Sequence, residues 1–348
     1  MHLLANKSTV DMGWFGLLTP GTWLVTDQNA CEIGLHCTRG DYQISPFTEW
    51  NLSANVVTAL IVANGAKGDL LFLTPVLREL RSRLPEIKVT LACFPIHHSM
   101  FDGLDLFDRL ISYPVPFDEV EKFSRVISLE NVIENAGMTH ATDAFARKLE
   151  VDVITDYRPA YCLTPFEQAW AEASYPATGR PRVGLQMAAS VSNRNYPLDH
   201  WLKVIKGIIG RGWDVFVFGH PGQYPKLQTS PHLHNLTLDK IDFRKAAAAL
   251  STCQAFCGVD SVWVHMCHAL DIPAVGLYGP FPWEARTAKS PKTLALSGFG
   301  ECAPCFWHIH AGRHFPPNKP CSQNGVCVVL ASIEPDRIIS KIDSLKPK

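Results

Sequence analysis

Short apolar runs that alternate with glycine turns and amphipathic stretches constrain the fold of this chain more than any other feature. Residues 56–63 are continuously apolar, which is typical of a strand buried on both faces of a parallel sheet. A glycine turn follows at 64–69, and leucines then recur at helical spacing over 70–84, before a second apolar strand at 89–93. This order of strand, turn, helix and strand predicts one βαβ unit.

The alternation continues through the rest of the chain and is interrupted at 159–181, a segment rich in proline and aromatic residues that we interpret as a linker. The pattern predicts further strands at 125–129, 182–187, 214–218, 255–259 and 273–278, and further helices at 140–149, 200–210, 243–250 and 261–270. Alternation in both halves predicts two parallel, doubly wound sheets. Ligands of such sheets bind outside the carboxyl ends of the strands.

Residues 1–55 follow a different pattern, in which short apolar runs are broken by Pro20-Gly21 and by Gly40-Asp41. A strand-prone sequence punctuated by turns in this way predicts a small β-rich appendage. Two roles fit it equally well: a surface for docking or homo-oligomerisation, or an extension that only packs on the first domain.

Composition and charge exclude several classes of protein. Hydrophobic residues make up 47% of the chain and charged residues 19%, which is typical of a globular protein and too apolar for a disordered one. The net charge of −1 provides no general attraction to nucleic acid or to an anionic membrane. No apolar run approaches the ~18–20 residues that span a bilayer. The first residues lack the basic and apolar regions of a signal peptide, so we expect a cytoplasmic protein with no membrane span.

The turn at 64–69 contains residues suited to ligand binding. Its glycines let the backbone approach a ligand, and the helix that follows offers free N–H groups. The alternative interpretation is a tight strand-to-helix turn with Asp69 as the N-cap of the helix.

A second segment, 258–280, carries a stronger signal. A strand ends at Asp260, Ser261 can cap the next helix, and the N-terminus of that helix favours a phosphate. Another strand ends at Gly279-Pro280. Two adjacent turns therefore bring a carboxylate, a hydroxyl group and backbone N–H donors to one place.

These segments contain motifs that resemble glycosyltransferase family nine, the ADP-heptose heptosyltransferases. GVDSVWVHMCHALDIPAVGLYGP, at 258–280, is close to the family's C-terminal pattern, with Cys267 in place of an alanine and His268 beside it. GDLLFLTPVLREL, at 68–80, meets the N-terminal pattern, and 194–201 resembles the stretch that opens the family's donor domain. Together the matches extend over roughly residues 56 to 300.

The resemblance implies an α/β protein of the GT-B fold, with two Rossmann-like, doubly wound domains that face a cleft holding the active site. We expect an acceptor domain at 56–165 and a donor-binding domain at 180–300. The β-rich appendage would precede them at 1–55, and a cysteine finger with a C-terminal helix would follow at 301–348.

The resemblance also implies roles for single residues. Asp69 matches the acidic residue proposed as general base on the acceptor hydroxyl, which an inverting transfer needs. Arg194 matches a basic residue near the donor diphosphate, where a guanidinium suits the phosphate oxygens of the leaving group. The other donor-site positions that the motifs supply are Gly68, Asp260, Ser261, His265, Gly279 and Pro280. A packed core histidine is the alternative interpretation of His265.

Two further features concern the donor. No Asp-x-Asp pair occurs in a setting suited to a divalent metal, so we expect transfer without a catalytic metal ion. Family members often carry a glutamate after the strand that ends here at Gly219, whereas this chain reads His220-Pro221-Gly222-Gln223. The choice of nucleotide or sugar therefore stays open.

Four late cysteines form a separate group, Cys302-x2-Cys305-x15-Cys321-x5-Cys327. A tetrahedral thiolate site needs such a Cys-x-x-Cys pair and two later cysteines. The group resembles the cysteine finger of the autotransporter heptosyltransferase branch, where the metal is iron, and zinc would satisfy the same ligands. Four cysteines leave no open coordination position, so we expect a structural metal; the alternative is four unligated thiols.

The motifs together predict an inverting glycosyltransferase that moves a sugar, with ADP-heptose the expected donor, to a hydroxyl of a protein or glycan acceptor. A nucleic-acid acceptor is disfavoured by the near-neutral charge. The alternative is a non-catalytic GT-B-like binding or assembly protein, which would not require Asp69 and Arg194. A dinucleotide oxidoreductase would need a complete G-x-G-x-x-G turn, and thiol redox chemistry a Cys-x-x-Cys pair that opens a helix; the chain supplies neither.

Overall fold

The computed structural model describes residues 1–6, 10–11, 17–25, 42–46, 57–227, 229–306 and 327–347. The chain forms two compact units. The first consists of Met1–Asn135 and Ala144–Thr155, and the second of Ala136–Asp143 and Asp156–Lys348. Residues 136–143 therefore belong to the second unit, although they come before the last part of the first unit in sequence.

The N-terminal residues of the first unit form an antiparallel sheet, as their turn-rich pattern predicts. Its strands are β1 (His2–Asn6), β4 (Gly21–Val25), β5 (Tyr42–Pro46) and β9 (Val115–Pro116), in the order β5-β1-β4-β9, while β2 (Val10–Asp11) and β3 (Leu17–Leu18) pair separately. Leu24 is fully buried and packs in one core cluster with Leu60 and Val115. The N-terminal sheet thus shares a hydrophobic core with the parallel sheet of this unit.

A four-stranded parallel sheet forms the centre of the first unit. Its strands are β6 (Thr58–Val62), β7 (Lys88–Cys93), β8 (Arg109–Ser112) and β10 (Arg125–Ser128), in the order β10-β6-β7-β8. Its helices are α1 (Lys67–Arg83), α2 (Phe117–Val120) and the part of α3 (Ala141–Lys148) that follows Asp143. Helix α1 buries the leucines that recur at helical spacing, among them Leu73 and Leu77. Its last turn carries Arg81 and Arg83, and the helix dipole favours positive charge at this end of a helix.

The second unit is built on a six-stranded parallel sheet. Its strands are β11 (Arg182–Gln186), β12 (Asp214–Phe218), β13 (Leu233–Asn235), β14 (Ala255–Val259), β15 (Ala274–Tyr278) and β16 (Thr293–Ser297), in the order β13-β12-β11-β14-β15-β16. From β11 the chain adds β12 and β13 on one side, and it then returns to add β14, β15 and β16 on the other side, so the strand order reverses between β11 and β14. Ligands of open parallel sheets bind at such a reversal, beyond the carboxyl ends of the strands.

Helices cover both faces of this second sheet. They are α4 (Pro165–Ser174), α5 (Leu198–Gly210), α6 (Phe243–Ser251), α7 (Val262–Ala269), α8 (Glu284–Thr287), α9 (Val328–Ala331) and α10 (Pro335–Asp343). Trp201 and Trp213 are fully buried in the core, where α10 also packs through Ile338 and Ile342. None of the helices in the described ranges has the length and apolar character that crossing a membrane requires.

Every strand and helix that the sequence predicts from residue 56 onward is present within about three residues of its expected ends. The segment at 159–181 differs from expectation, because it contains α4 rather than only a linker. Glu167 Oε2 accepts from the N–H of Thr164 at 2.8 Å, and Thr164 Oγ1 accepts from the N–H of Glu167 at 3.2 Å. This capping box, with Pro165 at the first helical position, starts a helix in a proline-rich stretch.

Candidate active site

Asp69 lies in the first turn of α1, just beyond the carboxyl end of β6. It is the third residue of the helix and Ala66 is the N-cap, so the alternative interpretation of Asp69 as the N-cap is wrong. From the third position its Oδ2 reaches back and accepts a hydrogen bond of 2.8 Å from the N–H of Ala66. A Cβ on Gly65 would lie 2.8 Å from that oxygen, so only glycine fits beside the carboxylate. Gly68 precedes Asp69 in the same turn.

A cavity of about 80 Å³ adjoins Asp69 at the carboxyl ends of β6 and β10. The strand order of the first sheet reverses between these two strands, which is where such sheets bind ligands. Polar residues that line the cavity are Asn64, Asp69, Glu130, Asn131 and Glu134, and apolar ones include Leu70, Leu73 and Phe145. The half-buried Asp69 carboxylate can therefore meet a hydroxyl group that enters this cavity. The sequence motifs did not indicate Glu130 and Glu134 as site residues, although both follow a predicted strand.

A lysine and a histidine lie close to the same turn. Lys67 Nζ is 3.1 Å from Nδ1 of His97, which follows β7. Burial lowers the pKa of Lys67. Burial, together with the nearby charge of Lys67, lowers the pKa of His97 to about 4, so the imidazole is neutral at neutral pH. The sequence indicated neither residue as part of the site.

Asp260 is the centre of a buried ionic cluster in the second unit. Arg194 Nη1 lies 3.2 Å from the Asp260 carbonyl oxygen and 3.5 Å from Oδ2. His265 Nε2 lies 3.7 Å from Oδ1, and Arg286 Nε lies 3.8 Å from Oδ2. Arg194 follows β11 and Asp260 follows β14, the two strands between which the strand order reverses. The cluster therefore occupies the expected ligand-binding edge of this sheet.

The charge balance of this cluster suits an anion. Burial by itself would raise the pKa of the Asp260 carboxyl, because a low-dielectric interior disfavours charge. The contact with His265 and the charges of Arg194 and Arg286 outweigh burial and hold that pKa well below its usual range. One charged carboxylate thus faces two guanidiniums, which leaves an excess of positive charge for a phosphate group.

Two polar atoms of this region are buried without a hydrogen-bond partner among the described residues, namely Arg194 Nε and Ser261 Oγ. Ser261 is the N-cap residue of α7, yet its side chain makes no capping hydrogen bond, which corrects the expected capping role. A buried polar atom without a partner costs ~1–3 kcal/mol. An anion bound here would accept hydrogen bonds from both groups and from the first turn of α7.

The structure adds Arg286 and His140 to this cluster. Arg286 lies in α8, and His140 belongs to the segment 136–143 of the second unit. Burial lowers the pKa of His140 to about 4. The charge of Asp143 and a hydrogen bond with the backbone of Arg286 oppose this shift, and the charge of His265 adds to it. No local motif marks these two positions, because only the tertiary fold brings Arg286 to Asp260 and His140 to Arg286 and His265.

Gly279 and Pro280 follow β15 and contact the segment that carries the late cysteines. A Cβ on Gly279 would lie 2.8 Å from Cys327 Sγ, which explains why a glycine stands there. The N–H of Phe306 donates to the Pro280 carbonyl at 2.9 Å, and the rings of Phe281 and Phe306 lie 5.9 Å apart. The residues of the motif at 258–280 therefore lie in two places. Asp260, Ser261 and His265 belong to the buried ionic cluster, and Gly279 and Pro280 contact the segment that carries the late cysteines.

Three of the late cysteines, Cys302, Cys305 and Cys327, lie in the described part of the chain, and Cys321 lies outside it. Burial raises the pKa of the Cys327 thiol, and the charges of Cys305 and Cys302 raise it further. Within the described ranges, no group of three His, Cys, Asp or Glu side chains is arranged to hold a metal ion. The four-cysteine site stays a prediction.

The loop after β12 carries Gln223 in the region where the sequence departs from the family pattern. Gln223 Oε1 accepts from the N–H of His220 at 3.0 Å. Buried Asn235 donates from Nδ2 to the carbonyls of Tyr224 and Leu227, at 2.9 and 2.8 Å. The loop is therefore held in one conformation at the ligand-binding edge of the sheet.

Comparison with known proteins agrees with this geometry. The family model described as glycosyltransferase family 9 (heptosyltransferase) matches residues 128–311, more than half of the chain, and so includes the whole Asp260 cluster. The family resemblance of the sequence motifs is confirmed. No curated protein matches the sequence significantly.

Solved structures share the fold at low sequence identity. E. coli ADP-heptose LPS heptosyltransferase II is 16% identical with a TM-score of 0.61, over 83% of this chain and 98% of that one. A family 9 glycosyltransferase from Veillonella parvula is 17% identical with a TM-score of 0.61, over 83% and 96%. The iron-containing dodecameric glycosyltransferase TibC from enterotoxigenic E. coli is 13% identical with a TM-score of 0.58, over 99% and 90%. The fold is GT-B, as predicted.

Proposed function

Since the chain belongs to glycosyltransferase family 9, we propose that it transfers a heptose from ADP-heptose to a hydroxyl group of a protein or glycan acceptor. The printed names of two relatives support this donor: one is an ADP-heptose heptosyltransferase, and TibC has been solved in complex with ADP-D-β-D-heptose. The proposal for the donor rests further on the chemistry of the site.

The observation that carries the proposal is the Asp260 cluster, where two guanidiniums face one carboxylate. A nucleoside diphosphate brings at least two negative charges, so it needs more cation than a neutral ion pair provides. Arg194 Nε and Ser261 Oγ are buried and without a partner in the described part of the chain, and they lie beside the N-terminus of α7. We assign them to the donor diphosphate, whose oxygens satisfy both.

Asp69 is the proposed general base. In an inverting transfer the acceptor hydroxyl oxygen bonds to the anomeric carbon, its proton passes to the Asp69 carboxylate, and the bond from that carbon to the diphosphate oxygen breaks. The electron pair leaves with the nucleoside diphosphate, and the positively charged cluster stabilises it. The 2.8 Å hydrogen bond from the N–H of Ala66 to Oδ2 fixes the orientation of the carboxylate that is to take the proton.

We propose in addition that Cys302, Cys305, Cys321 and Cys327 hold one structural iron or zinc ion. Four thiolates suit either metal, and the effect of Cys302 and Cys305 on the Cys327 pKa supports their grouping. The metal would cross-link the segment between β16 and α9, and no step of the transfer passes through it. The antiparallel N-terminal sheet is the proposed surface for self-association.

Donor binding and nucleotide release separate the proposed roles. We would measure both with ADP-heptose and with UDP-, GDP- and CMP-sugars, for the wild type, Asp69→Asn and Asp260→Asn. The wild type should bind and slowly hydrolyse one donor. Asp69→Asn should keep donor affinity and lose ~10²–10⁴-fold in rate, because it removes only the base. Asp260→Asn should lose donor affinity.

Asp271→Asn is the matched control, because Asp271 is an exposed carboxylate that pairs with Lys292 at 2.6 Å and precedes β15, at the other end of that strand from Gly279. It should behave as the wild type. If the folded wild type neither binds nor cleaves any of these donors, the non-catalytic GT-B alternative replaces this proposal. An unchanged rate in Asp69→Asn would remove Asp69 from the role of base.

A further inference from the structure

The Asp260 carboxylate is shared between two arginines, and neither holds it tightly. Arg194 Nη1 is 3.5 Å from Oδ2 and Arg286 Nε is 3.8 Å from the same atom. Charge-assisted bonds between guanidinium and carboxylate are ~2.7–2.9 Å long. The carboxylate can therefore close on one arginine and release the other at little cost.

Arg286 is the more firmly anchored of the two arginines. Its side chain is 8% exposed, and its guanidinium lies 4.7 Å from the centre of the Phe281 ring. Cation–π contact of this kind restrains a guanidinium over the ring face. Its backbone is hydrogen-bonded to the buried His140 ring. These contacts hold Arg286 in place whether or not an anion is bound.

Arg194 is placed to change partners. It ends a short 3₁₀ turn, Ser192–Arg194, and its contacts with the Asp260 carbonyl and with Ser190 Oγ are 3.2 and 3.3 Å long. Its Nε is buried and meets no hydrogen-bond acceptor within the described ranges. An arriving phosphate would supply that acceptor, and Asp260 would then need another counter-ion.

We infer that Arg286 is a positioning residue for Arg194. Arg286 stays paired with the Asp260 carboxylate, so that Arg194 can turn to the donor diphosphate. Arg286 need not touch the donor, since it acts through Arg194. This inference rests on the proposed donor site. Without Arg286, Asp260 closes on Arg194 as its remaining cation, and the diphosphate loses its main ligand.

A double-mutant cycle tests this dependence. We would measure binding of ADP and of ADP-heptose by calorimetry for the wild type, Arg194→Met, Arg286→Met and the double variant. Each single change should weaken binding about 10- to 100-fold, the cost of a charge-assisted contact. The double variant should be no more than about threefold weaker than either single variant, because Arg286 acts through Arg194. Multiplied losses would mean that Arg286 contacts the donor itself, and would overturn the inference.

Two further variants separate positioning from folding. Arg286→Lys keeps a cation beside Asp260 and should bind within about threefold of the wild type, whereas Arg286→Met should not. Arg211→Met is the matched control, because Arg211 also pairs with a carboxylate, Asp343 at 3.1 Å, but on the surface of the same unit. It should bind normally. Equal weakening by Arg286→Lys and Arg286→Met in folded proteins contradicts a counter-ion role.

A readout on the free protein keeps this inference distinct from the proposed function. The Nε–H resonance of Arg194 should shift in nucleotide-free Arg286→Met, as Arg194 closes on Asp260, and should not shift in Arg211→Met. If the wild type binds no nucleotide, the proposed donor fails, while a shifted resonance still supports the coupling of the two arginines. A resonance that stays at its wild-type position refutes that coupling.

Discussion

Replacing Gly65 with alanine tests whether the exact position of Asp69 controls transfer. The new Cβ would lie 2.8 Å from Asp69 Oδ2 and 2.9 Å from Asp69 Cβ. Rotating the carboxylate can relieve the first contact but not the second, because the Asp69 Cβ is fixed to the helix backbone. The turn must therefore move, and the 2.8 Å hydrogen bond from Ala66 to Asp69 breaks.

The expected magnitudes differ between stability and rate. Losing the cap contact costs ~0.5–2 kcal/mol, and overpacking adds about as much again. A displacement of about 1 Å at a reacting group costs ~10²-fold in rate. We would measure unfolding by urea and release of nucleotide from the preferred donor, for Gly65→Ala and for the wild type.

Gly210→Ala is the matched control, because Gly210 ends α5 and a Cβ there would meet no atom within 4 Å. It should be neutral or slightly stabilising and should leave the rate unchanged. If Gly65→Ala loses stability and yet keeps the wild-type rate within about twofold, the position of Asp69 does not limit the reaction. The assignment of Asp69 as base would then be refuted.

Three further predictions concern two buried histidines, the cap of α4 and the late cysteines. Burial lowers the pKa of His97 and of His140 to about 4 in the folded chain, against about 6.5 in the unfolded chain. The folded state is therefore fully stable above pH 6.5 and loses roughly 3 kcal/mol for each histidine as the pH falls toward 4, because the unfolded chain binds the protons first. Urea titrations across this range should show a shallower loss of stability for His97→Gln than for the wild type. Thr164→Ala should destabilise the chain by ~0.5–2 kcal/mol without changing donor affinity, because it removes the α4 cap. Cys305→Ser should reduce the bound iron or zinc, measured by elemental analysis, and lower the melting temperature; metal content equal to the wild type would argue against the four-cysteine site.

Local patterns predicted most of the secondary structure because the signals for parallel strands are themselves local. The strands β12 and β14 occupy the predicted residues 214–218 and 255–259, since each is a short apolar run closed by a turn. Helix α4 escaped prediction because proline and aromatic content outweighed its local start signal, Thr164 with Glu167 three residues later. That capping box was readable from the sequence and shows how the error arose.

The site was predicted less completely, because its members come from distant parts of the chain. Asp260, Ser261 and His265 lie in one motif and were found together, while His140 precedes that motif by a large part of the chain. The histidine joins them because segment 136–143 belongs to the second unit. No periodicity in the sequence records that return of the chain, so only the fold could reveal it.

Charge balance, however, would have narrowed the search for Arg286. A buried Asp260 cancels Arg194, so a site for a diphosphate needs another cation. Between Ser261 and Gly300 the chain offers three lysines or arginines, Arg286, Lys289 and Lys292. Lys289 lies over the Tyr157 ring at 4.6 Å and Lys292 pairs with Asp271 at 2.6 Å, which leaves Arg286 for Asp260. Counting the charges that a ligand requires thus narrows the choice to three residues of the sequence, and the contacts in the structure select Arg286.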